Sequence, residues 1–123
     1  MAWTVRFGVE FDQEFHSLPT SVQIELLAQA QLLAQIGPHL GRPRVDTLKG
    51  SRHANMKELR FDANDGVWRV AFAFDPKREA ILLIAGDKSG VSESRFYRLL
   101  IQKADLRYEL HLTRLHPVKP RPK

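Results

Sequence analysis

The chain predicts an α+β fold: a small, curved antiparallel sheet of about four strands with one mixed edge, packed against two or three helices. Three observations lead there. Strand-like and helical periodicities alternate as strand, helix, three strands, helix. Turn-forming clusters separate the three central strands closely enough for a meander. The length of 123 residues, with 43% hydrophobic content, suits one domain with a single core. The expected arrangement has the helices on one sheet face and leaves the other face open to a ligand.

The elements follow in order. Trp3, Val5, Phe7, Val9 and Phe11 alternate with Thr4, Arg6, Gly8 and Glu10, which predicts a half-buried first strand over Trp3–Phe11. A short helix is expected over Asp12–Leu18. Pro19 then resets the chain, and Thr20 or Ser21 caps a helix running to about Ile36. Its apolar stripe is Val22, Leu26, Ala30 and Leu33 with Leu27 and Ala34, and Gly37-Pro38 ends it. Gly41–Asn55 is rich in Gly, Pro and charge without clear periodicity, so it reads as an exposed loop with a short extended piece around Val45. Met56–Phe61, Val67–Phe74 and Glu79–Ala85 are the three further strands, joined by turns at Asp62–Gly66 and Asp75–Arg78. The last is nearly continuously apolar, as befits a central strand covered on both faces. A long helix opens at Ser92 or Ser94 and carries Tyr97, Leu100, Ile101, Ala104, Tyr108 and Leu112 at helical spacing. Residues 1–115 thus form one domain, and the proline-rich basic tail at 116–123 is expected to be disordered.

Composition excludes several kinds of chemistry. Cysteine is absent, which rules out disulfides, thiolate metal sites and thiol catalysis. The N-terminus lacks the pattern of a secretory signal, and no run approaches the roughly 20 apolar residues of a membrane span, so a cytoplasmic protein without membrane partners is expected. His16, His39, His111 and His116 lack ligand spacing with carboxylates, so neither metal nor cofactor is predicted. The net charge of +5 is localised: residues 41–60 hold six lysines and arginines against two acids, and residues 114–123 hold four against none. Such patches suit a partner of negative charge.

Strand alternation places individual cations. Met56, Glu58 and Arg60 share one face of their strand, while Lys57 sits with Leu59 unless a bulge or edge intervenes. Arg69 shares its face with Val67, Ala71 and Ala73, whose small side chains leave room around it; Trp68, Val70, Phe72 and Phe74 form the bulkier face. Lys88 ends the last strand. Together Lys57, Arg60, Arg69 and Lys88 form a candidate anion-binding groove, and Arg42, Arg44, Lys49, Arg52 and His53 of the preceding loop extend it. Each has a structural alternative. Arg60 can pair with Glu58 or a cross-strand acid, Arg69 can pair with Glu58, Lys88 can be a solvated turn lysine, and His53 can be merely exposed. Tyr97 and Tyr108 lie on the apolar stripe of the last helix and read as core.

The combination LKGSRHANMKELRF, WRVAFAF and LLIAGDKSG, followed by a Phe-Tyr helix, resembles the RelE/ParE superfamily of toxins, in its phage-derived, HigB-like branch. The resemblance spans roughly residues 3–115. It implies the toxin of a type II toxin–antitoxin system, a ribosome-dependent mRNA endonuclease that inhibits translation, encoded beside an antitoxin of helix-turn-helix type. The ribosome and mRNA are the other implied partners. ParE-like members share the fold and imply a different target, gyrase, and a basic module that neither cleaves nor poisons is the third possibility. RNA cleavage without a metal needs a base for the 2′-hydroxyl, charge stabilisation on the phosphate and a proton for the departing 5′-oxygen. Lys57, Arg60, Arg69 and Lys88 are the candidates for those roles, with clustering of cations depressing the lysine pKa values. Members of the wider superfamily imply a catalytic Tyr or His near the C-terminal end. Here Tyr108, His111 and His116 are the only candidates, and none matches residue by residue.

Overall fold

The computed structural model describes residues 2–115. Five strands form one sheet in the order β1-β5-β4-β3-β2, with β1 at Thr4–Phe7, β2 at Val45–Thr47, β3 at Met56–Ala63, β4 at Gly66–Phe74 and β5 at Glu79–Asp87. The three long strands are consecutive antiparallel neighbours, as their turn signals predict. β1 runs parallel to β5, pairing Thr4 with Glu79 through Phe7 with Leu82, and this makes one edge mixed. The fifth strand is the short extended piece at Val45, which pairs antiparallel with Leu59–Lys57. The β3–β4 turn is centred on Asn64-Asp65, both at positive φ (51° and 59°), while Gly66 pairs with Ala63 inside the ladder. Asn and Asp tolerate that left-handed geometry, which matches the twist of the strands they join.

The first strand is shorter than its alternation suggests. Helix α1 begins at Val9 and runs to His16, so Phe11 and Phe15 enter the core four residues apart on one helical face, and Val9 is exposed. Period two and a helix start coincide over Phe7–Phe11, and the close approach of Gly8 to β5 decides between them: its N–H donates to the Leu82 carbonyl at 2.8 Å, and a Cβ there would lie 3.1 Å from that oxygen. α2 spans Thr20–Ile36 with Pro19 as its N-cap residue and no side-chain cap from Thr20 or Ser21. Its buried stripe is Val22, Leu26, Gln29 and Leu33, with Ala30 half-buried, whereas Leu27 faces solvent. Gly37 closes the helix at φ 71° and starts a short 3₁₀ turn to His39.

Helices cover both faces, which corrects the expectation of an open one. α1 and α2 pack on the face carrying Leu59, Phe61, Trp68, Val70 and Phe72. Helix α3, Glu93–Leu115, packs on the other through Phe96, Leu100, Ala104 and Tyr108 against Met56, Ala71, Ala73, Ile81 and Leu83. Small residues on β4 and Gly86 on β5 let α3 approach: a Cβ on Gly86 would lie 2.9 Å from the Phe96 ring. A side-chain clamp holds the far end of α3, where His111 Nε2 lies 2.8 Å from the fully buried carboxylate of Asp75. Asp75 Oδ1 also accepts from the backbone N–H groups of Lys77 and Glu79, shaping the β4–β5 turn. Burial pushes the Asp75 carboxyl up, but the bonds from His111, Glu79 and Lys77 together outweigh it and hold the pKa below the usual aspartate value.

Two stability predictions follow from these contacts. At Gly37 a Cβ would sit 2.2 Å from Trp3 Nε1, in a backbone region that side chains rarely adopt. Gly37→Ala should therefore cost at least about 2 kcal/mol, read as a lower urea midpoint at unchanged slope. Because the folded pKa of Asp75 is depressed, its contribution is present above the unfolded value near 3.9 and is lost as pH falls through the folded value. Asp75→Asn should lower the melting temperature at pH 7 and flatten its decline below about pH 4; an unaltered acid limb would contradict this.

Candidate nucleic-acid interface

The register of the sheet sets two like-charged pairs side by side. Asp46 of β2 lies directly opposite Glu58 of β3, and Arg60 of β3 directly opposite Arg69 of β4. Opposite residues share a sheet face, so all four side chains project toward α3. Like charges directly across strands repel, and the diagonals neutralise them. Arg60 Nη2 lies 3.2 Å from Asp46 Oδ2 and 3.3 Å from Glu58 Oε2, and Arg69 Nε lies 3.4 Å from Glu58 Oε1. Glu58 is only 3% exposed. Gly86, opposite Arg69 on β5, puts no side chain in its way.

Tyr97, in the second turn of α3, closes this array from above. Its hydroxyl donates to Glu58 Oε1 at 2.7 Å and accepts from Arg69 Nε at 3.3 Å. Burial, then the Glu58 hydrogen bond, push the phenol above its ordinary pKa, so it is a neutral donor at physiological pH. Lys88 approaches from the end of β5, with Nζ 3.0 Å from Glu93 Oε1 and 5.8 Å from the centre of the Tyr97 ring. An open groove of about 320 Å³ lies over these groups, lined by Asp46, Thr47, Lys49, Glu58, Arg60, Glu93 and Tyr97. Arg60 Nε–H is buried there without an acceptor, so the carboxylates around this guanidinium leave one donor unused.

The structure thus brings together Arg60, Arg69, Lys88 and Lys49, the first three already in ion pairs. Lys57 is not with them. No bulge interrupts β3, and the one irregularity lies between β4 and β5 at Ala71/Phe72, so Lys57 keeps the face of Leu59, turned from Tyr97. Arg42 is exposed, and Arg44 Nη1 reaches Gln29 Oε1 of α2 at 3.4 Å. Tyr97 and Glu58 are the functional candidates that sequence reasoning assigned to core and to charge pairing. The available signal for Tyr97 was its position near the start of the helix just beyond Lys88, where a phenol hydroxyl needs a polar partner.

The loop from Lys49 to His53 is exposed at Lys49, Gly50 and Arg52, as expected, but it is pinned to α3, which leaves His53 half-buried. Buried Asp105 accepts from Ser51 Oγ and from the backbone N–H of Arg52. Glu109 takes a bidentate bond from Arg52 at 2.7–3.0 Å and lies 3.0 Å from His53 Nε2. Arg52, then His53, hold the Glu109 carboxyl below its ordinary pKa. The His53 ring meets Tyr108 edge-on at 4.9 Å. Tyr108 itself bonds Asn55 and Phe74, and His111 bonds Asp75, which places both candidate C-terminal catalytic groups at the opposite end of β3 and β4 from Arg60. His116 and the tail lysines and arginine lie outside the described residues. Among the described residues, no cluster of three or more His, Asp or Glu side chains has the arrangement to hold a metal ion, and no helix is long and apolar enough to cross a membrane.

Comparison with known proteins places this geometry in a family. The profile of the family described as "Phage derived protein Gp49-like (DUF891)" matches residues 13–109. The chain belongs to this family. It is 43% identical over 97 residues to the Mycobacterium tuberculosis protein named "Putative toxin HigB2", covering 78% of this chain and 48% of that one, so it spans about half the length of this relative. It is 41% identical over 107 residues to "Putative toxin HigB3" of the same organism, covering 87% and 91%. Among solved structures, a mutant of the Escherichia coli toxin RelE in the free state superposes with a TM-score of 0.53 at 14% identity, covering 84% of this chain and 97% of that one, a likeness of fold. The Gp49-like chain is therefore HigB-like, as its strand motifs suggest, and its fold is like that of RelE.

The pinned loop yields a prediction. Asp105→Ala removes two bonds to a buried carboxylate and strands the Ser51 hydroxyl and the Arg52 N–H. It should cost about 2–3 kcal/mol in urea unfolding, whereas Arg52→Ala, breaking a surface pair, should leave the urea midpoint nearly unchanged.

Proposed function

We propose that this Gp49-like chain is the toxin of a toxin–antitoxin pair and acts as an endoribonuclease on mRNA presented by the ribosome, in the cytoplasm. The observation that carries the reading is the buried Glu58 carboxylate joined at once to Arg60, Arg69 and Tyr97 beneath an open groove. Two arginines facing one another across a strand pair present guanidinium forks suited to phosphate oxygens, and an internal carboxylate keeps them in place when no phosphate is bound. A backbone phosphate entering the groove competes with Asp46 and Glu58 for these forks. The unused Nε–H of Arg60 favours the exchange, because that donor is unsatisfied beforehand.

The reaction this arrangement supports is transesterification. The 2′-oxygen attacks the adjacent phosphorus, the bond from phosphorus to the 5′-oxygen breaks, and a 2′,3′-cyclic phosphate and a 5′-hydroxyl result. Tyr97 takes the 2′-hydroxyl proton on its oxygen while passing its own proton to Glu58, a relay set up by the existing 2.7 Å bond. As the arginines turn to the phosphate, the Glu58 oxygens they occupied are freed to accept that proton. Arg60 and Arg69 stabilise the charge gathering on the phosphate. Lys88, beside Tyr97, is the cation placed to donate to the departing 5′-oxygen. A cognate antitoxin of helix-turn-helix type, with the ribosome and mRNA, completes the set of partners.

The test is cleavage of a labelled mRNA by purified protein with and without ribosomes. Arg69→Ala and Tyr97→Phe should each lower kcat by about 10²–10³-fold with the fold intact by circular dichroism. Induced expression that arrests growth while transcripts stay whole and a DNA-damage response appears would replace this reading with a gyrase target.

A further inference from the structure

A second groove, of about 550 Å³, opens beside the first and is lined by Gly50, Arg52, Ser94, Arg98, Ile101, Gln102 and Asp105. The two share their walls. Lys49 lines one and Gly50 the other; Glu93 and Tyr97 line one, and Ser94 and Arg98, the next residues on α3, line the other. The seam between residues 46–52 and the first turns of α3 therefore carries both clefts in line, the course of a channel. Ile101, one helical turn (about 5.4 Å) beyond Tyr97, meets the loop where a Cβ on Gly50 would touch its Cδ1 at 3.4 Å, giving the channel an apolar floor.

The cations along this channel differ in one respect. Arg60, Lys88 and Arg52 are each engaged by a carboxylate. Lys49 and Arg98, both exposed, are in no ion pair among the described residues. A phosphate meeting Arg60 must displace Asp46 and Glu58, while one meeting Lys49 or Arg98 displaces only water and counterions. The unpaired cations therefore supply attraction, and the paired ones supply a reacting centre that engages only by exchange.

We infer that the channel running from Arg60 past Lys49 to Arg98 holds a single RNA strand, with Arg98 as a phosphate-anchoring subsite for nucleotides flanking the cleaved bond and Ile101 as a floor against which a base rests. This rests on the endoribonuclease reading and adds to it a direction and a length of substrate. Arg98 and Lys49 anchor and take no part in proton transfer.

The experiment uses the full chain and two oligoribonucleotides blocked against cleavage by a single 2′-deoxy substitution, one of three nucleotides and one of ten, with binding measured by fluorescence anisotropy across a salt series. Arg98→Ala should weaken the ten-nucleotide probe about 5–30-fold and reduce the magnitude of its salt slope by roughly 0.7, the single-strand value for one lost phosphate contact. The trinucleotide should be unaffected. On a cleavable decamer KM should rise while kcat holds. Lys77→Ala, removing an equal charge at the β4–β5 turn, should change neither probe. Unaltered decamer binding and salt slope in Arg98→Ala, with wild type binding normally, would overturn the subsite alone; so would an equal loss from Lys77→Ala, which would make the effect one of net charge. Wild type that binds neither probe would overturn the RNA reading itself.

Discussion

The arrangement of the site depends on how the sheet tolerates two arginines facing each other across neighbouring strands. Arg60 and Arg69 are direct partners in the register, as are Asp46 and Glu58 one strand over. Either pair alone would disfavour its own register. Set diagonally they form an alternating array, and Glu58, touching both arginines, is its centre. A carboxylate 3% exposed is tolerable only because two guanidiniums and the Tyr97 hydroxyl occupy its oxygens. Removing an arginine or Tyr97 strips one partner from Glu58 in a poorly hydrated place. The array thus ties the register of three strands to the position of α3.

Helix α3 turns what would be a flat cationic face into a rim. It lies over β4 and β5 through Phe96, Leu100 and Ala104, seated by the absence of a side chain at Gly86 and the small ones at Ala71 and Ala73. The flank toward β2 stays open. There the loop at Ser51–His53 is drawn onto α3 by Asp105 and Glu109. The two clefts along this flank lie between residues 46–52 and the first turns of α3, with Lys49 lining one and Gly50 the other.

Much of this was legible in the sequence because strand alternation is a local rule. The placement of Met56, Glu58 and Arg60 on one face, of Lys57 on the other, and of Arg69 with Ala71 and Ala73 follows from counting residues, and the register preserves it. β3 and β5 each run two residues past their expected ends, and the largest difference is in the first strand, where Phe7 to Phe11 fits period two and where a backbone contact to β5 starts a helix instead. Such contacts join residues more than seventy positions apart, beyond any local pattern. Separation along the chain also hid the role of Tyr97, 39 positions from Glu58, which the helical stripe assigns to the core, and the pinning of His53 by a helix residue 56 positions away. The charges were visible; their partners were not.

Self-neutralisation also bears on what kind of anion the site can select. An isolated phosphate reaching Arg60 and Arg69 gains two charge-assisted pairs but frees Asp46 and Glu58, whose negative charges then lie beside it. Exchange of one oxyanion for another within such an array yields little net free energy. A small anion is therefore a weak ligand here, whatever the number of nearby arginines. Binding becomes favourable only for a ligand that carries further contacts to cations without carboxylates of their own, and Lys49 and Arg98 lie on the same channel. A polymeric anion meets that requirement and a mononucleotide does not. On the proposed reading, the buried carboxylate that holds the arginines in register makes the site selective for chain length, since binding energy gathered along the channel is what drives the exchange at its centre.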